Sequence, residues 1–183
     1  MTRNFIHGFD RVDPNQMALI EKVLRDHERK KLIKDSKPLL LSNLKHPDGT
    51  HYPGKQTLTV MKGRPEFEPI LNHMVMIIRK TTGMDLVINK AWVNCTNGNK
   101  KDMVWHTHPC DIAAVYYMKT FPFFSNGTLF RNGLIKAPQN SLLLFSAALE
   151  HTAPSSPLPF SRYTLSMDLD FRNKIRVYDQ DYS

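Results

Sequence analysis

Three histidines occur in a pattern that can bind one metal ion. His106 and His108 are separated by a single residue, and His151 lies further along the chain, after an apolar run. On an extended segment the side chains of residues i and i+2 project to the same side, so both imidazoles of the pair can reach one ion. A third ligand from a distant strand would complete the metal site.

The identity of one ligand is left open by the spacing. Asp111 is the nearest carboxylate, and the Pro109-Cys110 step before it can form a turn that brings it round. Imidazole and carboxylate ligands suit iron(II), and two histidines with one carboxylate leave positions open for other groups. We favour His108 as a ligand because of its spacing. Asp111 is the alternative, in which case His108 lies behind the ligands.

An arginine near the end of the chain adds an anion-binding candidate. Residues 162–169 alternate strictly between apolar and polar side chains, which predicts a strand with one face in the core. The polar face is either solvated or lines a cavity, and it carries Arg162, Thr164, Ser166 and Asp168. An arginine that points into a cavity needs an anion, and its planar guanidinium matches a carboxylate in two-point contact.

The elements that would position these residues are mostly strands. Period-two or continuous apolar runs predict them at residues 86–93, 112–118, 127–130, 141–145 and 162–169. Helical signals precede residue 84. Strands divided by short turns, with helices on the N-terminal side, imply a mainly β protein of the α+β type, a β-sandwich or double-sheet jelly roll.

Two helices are predicted before this β region. The first begins with Asp13 as N-cap and carries an apolar stripe from Met17 to Leu24, and the charged run 25–31 is expected to be a solvated helix face. Residues 37–59 are rich in proline and glycine and predict a loop. A second helix follows Pro65 and ends at Gly83.

Length and composition bound the class of protein. The 183 residues, 41% hydrophobic and 23% charged, suit one compact domain and argue against a disordered chain or a coiled coil. We expect residues 1–83 to form a helical and loop region packed on a core of residues 84–183. A formal net charge of +8 suits an acidic partner, such as nucleic acid or an anionic substrate.

The sequence gives no sign of export or of a membrane span. No apolar run approaches the roughly 18 residues that a spanning helix needs, and no signal-peptide core follows the start. Cys95 and Cys110 have no CxxC spacing, which argues against a disulfide framework or a cysteine zinc site. A cytoplasmic, reducing location is expected.

The order of these motifs resembles the 2-oxoglutarate- and iron(II)-dependent oxygenases. The resemblance is closest to a group common in phages and marine bacteria and covers about residues 50–171. The motifs that carry it are His106-Thr-His108-Pro, Val115-Tyr-Tyr117-Met, Ser141-Leu-Leu-Leu-Phe145, His151 and Arg162-Tyr-Thr164-Leu-Ser166. It implies a double-stranded β-helix with the metal at its mouth.

The resemblance also implies a role for each residue. His106 and His151 would bind iron(II), and Arg162 would hold the distal carboxylate of 2-oxoglutarate. The hydroxyl of Tyr117 would lie beside that carboxylate, with Thr164 and Ser166 on the same polar face. Most members carry an acidic residue where this chain has His108. A carboxylate offsets part of the charge of the iron and a neutral imidazole does not, so the choice between His108 and Asp111 should change the reduction potential of the iron.

The reaction implied is hydroxylation of a C–H bond by O₂, with 2-oxoglutarate converted to succinate and CO₂ and ascorbate as reductant in vitro. The substrate would be chosen by loops at 50–59, 97–103 and 120–126, and an acidic substrate fits the net charge. Two other classes compete. One is a three-histidine, cupin-like metal protein that does not use 2-oxoglutarate; the other is a nucleic-acid-binding module, for which the scattered basic residues are weak support.

Overall fold

The structure, a computed structural model, describes residues 17–42, 44–45, 54–58, 61–97, 104–121, 126–154 and 160–173. These contain two helices, a short 3₁₀ turn at Lys37–Leu39 and ten strands. The helices are α1 (Asp26–Ser36) and α2 (Glu68–Thr82). The strands are β1 (Met17–Glu21), β2 (Leu41–Ser42), β3 (Lys55–Gln56), β4 (Leu86–Asn97), β5 (Ile112–Lys119), β6 (Gly127–Phe130), β7 (Gly133–Lys136), β8 (Ser141–Ser146), β9 (His151–Thr152) and β10 (Ser161–Phe171).

The strands form a large sheet and a small one. The large sheet has the order β1-β8-β5-β10-β4-β3-β2, and the small sheet has the order β7-β6-β9. Every strand pair in both sheets is antiparallel. Strand β10 lies at the centre of the large sheet, where β4 and β5 flank it. The polar residues of β10 are therefore held by neighbours on both sides.

The two faces of the large sheet have different partners. On one face, alternate residues such as Tyr116, Leu144 and Leu165 join a large apolar cluster with residues of α1 and α2. On the other face, Tyr117 and Phe145 pack with Phe130 of the small sheet in a second cluster. Arg162, Thr164, Ser166 and Asp168 share this second face with the small sheet. The predicted alternation along the last strand is confirmed, and its polar face lines a cavity.

The second predicted helix is confirmed. Helix α2 buries Leu71, Met74 and Ile78 against the large sheet, because these residues recur at helical spacing. Gly83 follows with a φ of +77°, and its N–H donates to the Arg79 carbonyl, which ends the helix in the left-handed conformation that glycine tolerates. In the described part of the chain, neither helix is long and apolar enough to cross a membrane.

The first predicted helix is wrong over residues 17–24. Residues 17–21 are the edge strand β1, which pairs with β8, and the helix begins only at Asp26. The side chain of Asn140 explains the break, since it accepts a hydrogen bond from the Leu24 N–H and donates one to the Leu24 carbonyl. Pairing with a buried strand has overridden the helical spacing of the apolar residues. The predicted cap, Asp13, lies outside the described residues.

Two other expectations need correction. The charged run at 25–31 does form the start of α1, but Arg29 is buried, and its Nη1 donates to the Met118 carbonyl at 2.7 Å. The predicted loop at 37–59 contains β2 and β3, which extend the large sheet beyond β4. Residues before 84 therefore contribute strands as well as helices, and the division at residue 83 stays a prediction.

Candidate metal and anion site

Backbone pairing brings the three histidines together. His106 and His151 form an antiparallel bridge in which each N–H donates to the other's carbonyl at 3.0 Å. The His108 N–H donates to the Ala147 carbonyl, also at 3.0 Å. The chain after β8 therefore runs beside the 106–108 segment. The three imidazoles meet with ring centroids 4.4 to 5.1 Å apart.

The hydrogen bonds of two imidazoles indicate which ring nitrogen carries the proton. Nδ1 of His106 lies 2.8 Å from the Val104 carbonyl oxygen, and Nδ1 of His151 lies 2.9 Å from the Leu149 carbonyl oxygen. A carbonyl oxygen only accepts, so each Nδ1 carries the proton and each Nε2 keeps its lone pair. Burial lowers the pKa of His151 to about 3, although the bond to Leu149 opposes the change. This imidazole is neutral, as a metal ligand must be.

His108 faces a carboxylate instead. Its Nδ1 lies 2.9 Å from Oδ1 of Asp168, and both side chains are largely buried. The Trp92 ring covers His108 with a centroid distance of 5.6 Å. One nitrogen from each of the three histidines lies within 4.8 Å of the others, an arrangement that can hold a metal ion. The structure places Asp111 elsewhere: its Oδ2 accepts a hydrogen bond from the Phe171 N–H.

Arg162 is buried in the same cavity. It is 4% exposed, and its Nη2 donates to the Gly127 carbonyl at 2.8 Å. Its Nε has no hydrogen-bond partner, and no carboxylate of the described residues lies within ion-pair distance of it. Burying a guanidinium without a counter-charge is costly, so the arrangement calls for an anionic ligand.

Of the other predicted anion-binding residues, Tyr117 packs against Arg162. The guanidinium carbon lies 5.4 Å from the ring centroid of Tyr117, which is fully buried. The Tyr117 hydroxyl is 2.6 Å from Oγ1 of Thr128, and burial raises its pKa, so the phenol is protonated. Thr164 and Ser166 line the same cavity on β10, and the Ser166 hydroxyl accepts a hydrogen bond from Nδ2 of Asn94.

One cavity joins the histidines to Arg162. It has a volume of about 460 Å³, within the range of small-molecule sites. Among the described residues, three buried side-chain atoms lack an aligned hydrogen bond: Oε1 of Gln56, Nε of Arg162 and Oδ1 of Asp168. All three residues line this cavity. Buried polar atoms are normally satisfied, so their clustering here is typical of a ligand site.

Sequence reasoning missed the role of Asp168. The alternation in β10 placed it on the polar face with Arg162, but nothing in the sequence pairs it with His108. That contact depends on the sheet register, in which Asp168 lies between Lys90 of β4 and Ala113 of β5. Gln56 and Trp92 also line the cavity, and their contribution depends on the same sheet.

Gly127, whose carbonyl accepts a hydrogen bond from Arg162, is at a position that we expect to tolerate no side chain. It has a φ of +149°, and a Cβ there would lie 1.9 Å from the Ile135 carbonyl oxygen. We expect Gly127→Ala to lower the free energy of unfolding by at least about 3 kcal/mol, from backbone strain together with this overlap. Urea unfolding measures the change.

Gly133→Ala is the matched control for Gly127→Ala. Gly133 has a similar φ of +133°, but a Cβ there would meet nothing within 4 Å. Only strain should act at this position, at a cost of about 1–2 kcal/mol. Equal losses in the two variants would contradict the proposed overlap at Gly127.

No protein-family model matches the sequence, and no curated protein matches it. Solved structures do match by fold. The viral collagen prolyl hydroxylase vCPH from Paramecium bursaria Chlorella virus-1, in complex with 2-oxoglutarate, has a TM-score of 0.58 and 15% identity, over 84% of this chain and 94% of that one. HygX from Streptomyces hygroscopicus, with nickel and 2-oxoglutarate bound, has a TM-score of 0.60 and 11% identity, over 84% and 82%.

A third similar structure is a prolyl hydroxylase from Trichoplax adhaerens, in complex with a peptide of hypoxia-inducible factor. Its TM-score is 0.60 at 18% identity, over 90% of this chain and 87% of that one. At such low identities the likeness establishes the fold, which is the double-stranded β-helix of these enzymes. The predicted fold class is confirmed. Membership of the phage and marine-bacterial group stays a prediction.

Proposed function

We propose that this protein is an iron(II)- and 2-oxoglutarate-dependent oxygenase that hydroxylates a C–H bond of a further substrate. One observation carries the proposal. Three imidazoles that share a possible metal position and a buried arginine without a carboxylate partner line the same cavity. The three imidazoles suit a divalent metal, and the buried arginine suits an organic carboxylate. The fold shared with enzymes of this class supports the same conclusion.

His106, His108 and His151 are the proposed protein ligands. Nδ1 of His106 and Nδ1 of His151 each donate to a backbone carbonyl, so Nε2 of each ring carries the lone pair that a metal ligand needs. Such bonds fix the tautomer and the ring orientation of metal-binding histidines. Asp111 is not proposed as a ligand, because its carboxylate supports the backbone of residue 171.

Arg162 is proposed to bind the distal carboxylate of 2-oxoglutarate. Tyr117, Thr164 and Ser166 would offer hydroxyl groups around the same carboxylate. The histidines and Arg162 line one cavity, so a single small ligand could contact both the metal and the guanidinium.

When bound, iron(II) and 2-oxoglutarate supply the oxidation: the substrate C–H, O₂ and 2-oxoglutarate give C–OH, succinate and CO₂. The protein's residues bind, orient and exclude water. Arg162 and Tyr117 are both buried, so little water reaches the side chains that are proposed to bind the carboxylate. An acidic substrate fits the net charge of +8.

Succinate formation tests the reaction. The purified protein is incubated with cell extract, iron(II), ascorbate and ¹³C-labelled 2-oxoglutarate, and the products are analysed by mass spectrometry. We expect labelled succinate together with an extract component that gains one oxygen atom, both dependent on O₂ and iron(II). A metal-loaded protein that yields neither product above the level of a His151→Ala control would contradict the proposed hydroxylation.

A further inference from the structure

We infer that Asp168 is a positioning residue of the metal centre, whose negative charge acts on the metal through His108. The inference rests on the proposed function, since it assigns His108 to the metal. In a site of two histidines and one carboxylate, the carboxylate bound to the metal offsets part of its charge. The three-histidine set of this chain has no such ligand, and Asp168 provides the charge one residue further from the metal.

The geometry distinguishes His108 from the other two histidines. Nδ1 of His106 and of His151 each face a neutral carbonyl of their own segment. Nδ1 of His108 alone faces a carboxylate, 2.9 Å away on the central strand of the large sheet. A carboxylate behind an imidazole fixes its orientation and raises its basicity toward a metal.

In the described part of the chain, no basic side chain other than His108 lies close to the charge of Asp168; the neutral thiol of Cys110 also contacts this carboxylate, and burial together with that contact raises the pKa of the thiol. The side chain is 6% exposed, and within the described residues its only ion-pair contact is His108. Its neighbour on β4 in the sheet register, Lys90, is exposed and forms no ion pair with it. A buried carboxylate is costly unless a cation compensates it. A divalent metal on Nε2 of His108 would provide that compensation across the imidazole.

Burial and packing keep the two groups in place. Trp92 packs against the His108 ring, and strands β4 and β5 hold Asp168 from both sides. The backbone of Asp168 is therefore fixed in the middle of the large sheet, opposite the imidazole. Its charge is a fixed part of the site.

The test is the affinity for Ni(II), measured by calorimetry without O₂. We expect Asp168→Asn to bind Ni(II) 10- to 100-fold more weakly than the wild type, because asparagine keeps an acceptor oxygen but lacks the charge. Asp85→Asn is the control, since it removes the same charge from an exposed position where Asp85 pairs with Arg79 and Arg172. Wild-type affinity in a folded Asp168→Asn variant would overturn the inference.

A second substitution separates a charge effect from a structural one. His108→Asp moves a carboxylate into the ligand set, so we expect it to strengthen Ni(II) binding more in the Asp168→Asn background than in the wild-type background. Equal gains in the two backgrounds would show that the charges at 108 and 168 are not coupled, and would also overturn the inference.

If Asp168→Asn does not fold, the inference can be tested on the melting temperature of the metal-free His108→Asp variant. Two carboxylates would then face each other in a buried site, and we expect a lower melting temperature than for the metal-free wild type, with the loss removed by saturating Ni(II). An unchanged melting temperature would contradict the inference. A wild-type protein that binds no divalent metal would instead contradict the proposed function.

Discussion

His151→Ala is expected to weaken metal binding by at least about 100-fold. His151 is 5% exposed and is neutral, and its Nδ1 proton is held by the Leu149 carbonyl, so the substitution removes an oriented ligand. Loss of a residue that only orients a ligand costs 10- to 100-fold, and loss of the ligand itself should cost more. Anaerobic calorimetry with iron(II) measures the change, and circular dichroism checks the fold.

His27→Ala is the control for this experiment, because His27 is exposed on α1, away from the cavity. The variant should bind the metal as the wild type does. Retention of wild-type affinity in a folded His151→Ala variant would show that the three histidines do not hold the ion.

The same titration decides between His108 and Asp111. His108→Ala should lose metal binding as His151→Ala does. Asp111→Asn should retain it, because asparagine can still accept the hydrogen bond from the Phe171 N–H. Unchanged iron affinity in His108→Ala would contradict the assignment of this residue and return Asp111 as the candidate.

The second large effect is expected at Arg162. Arg162→Met should reduce 2-oxoglutarate affinity by at least about 30-fold, which corresponds to the 2 kcal/mol or more for truncating one side of a buried charged contact. Metal affinity should stay within about threefold of the wild type, because Arg162 makes no contact with the histidines.

The melting temperature should not fall in Arg162→Met, although the affinity for 2-oxoglutarate does. The guanidinium is buried without a carboxylate partner, so an apolar side chain of similar length should leave the melting temperature of the metal-free protein unchanged or raise it. Such a gain in stability with a loss of binding is typical of a residue retained for its ligand. Arg172→Ala, at an exposed arginine paired with Asp85, is the control.

The Arg162 experiment also tests the cupin-like alternative. A three-histidine protein that does not use 2-oxoglutarate has no need of Arg162. In that case neither the wild type nor the variant would bind 2-oxoglutarate, although both would bind metal. Loss of 2-oxoglutarate binding in the variant with metal binding intact supports the oxygenase.

Local patterns predicted the longer elements that bury one face. The alternation from Arg162 to Leu169 identified both a strand and its cavity face, because side chains alternate strictly on a pleated strand. The stripe of α2 and its end at Gly83 were equally clear. Residues 17–21 were misassigned because a short apolar segment fits both periods, and only its pairing with β8 decides.

The site was predictable to the extent that its chemistry is local. The pair of His106 and His108 and the polar face of β10 were predicted from spacing and alternation in the sequence alone. Asp168 could not be assigned, because its contact with His108 joins residues that are distant in sequence and depends on the register between strands. The two carbonyl partners of His106 and His151 depend on local backbone conformation, which spacing does not specify.

Binding of 2-oxoglutarate to the metal-loaded protein tests the central claim most directly. Calorimetric titration of 2-oxoglutarate into protein saturated with iron(II) under anaerobic conditions should show one binding event per chain, much weaker or absent in metal-free protein. Such dependence is expected if the co-substrate is held at both ends, by the metal on His106, His108 and His151 and by Arg162. A metal-loaded protein that does not bind 2-oxoglutarate would contradict the account.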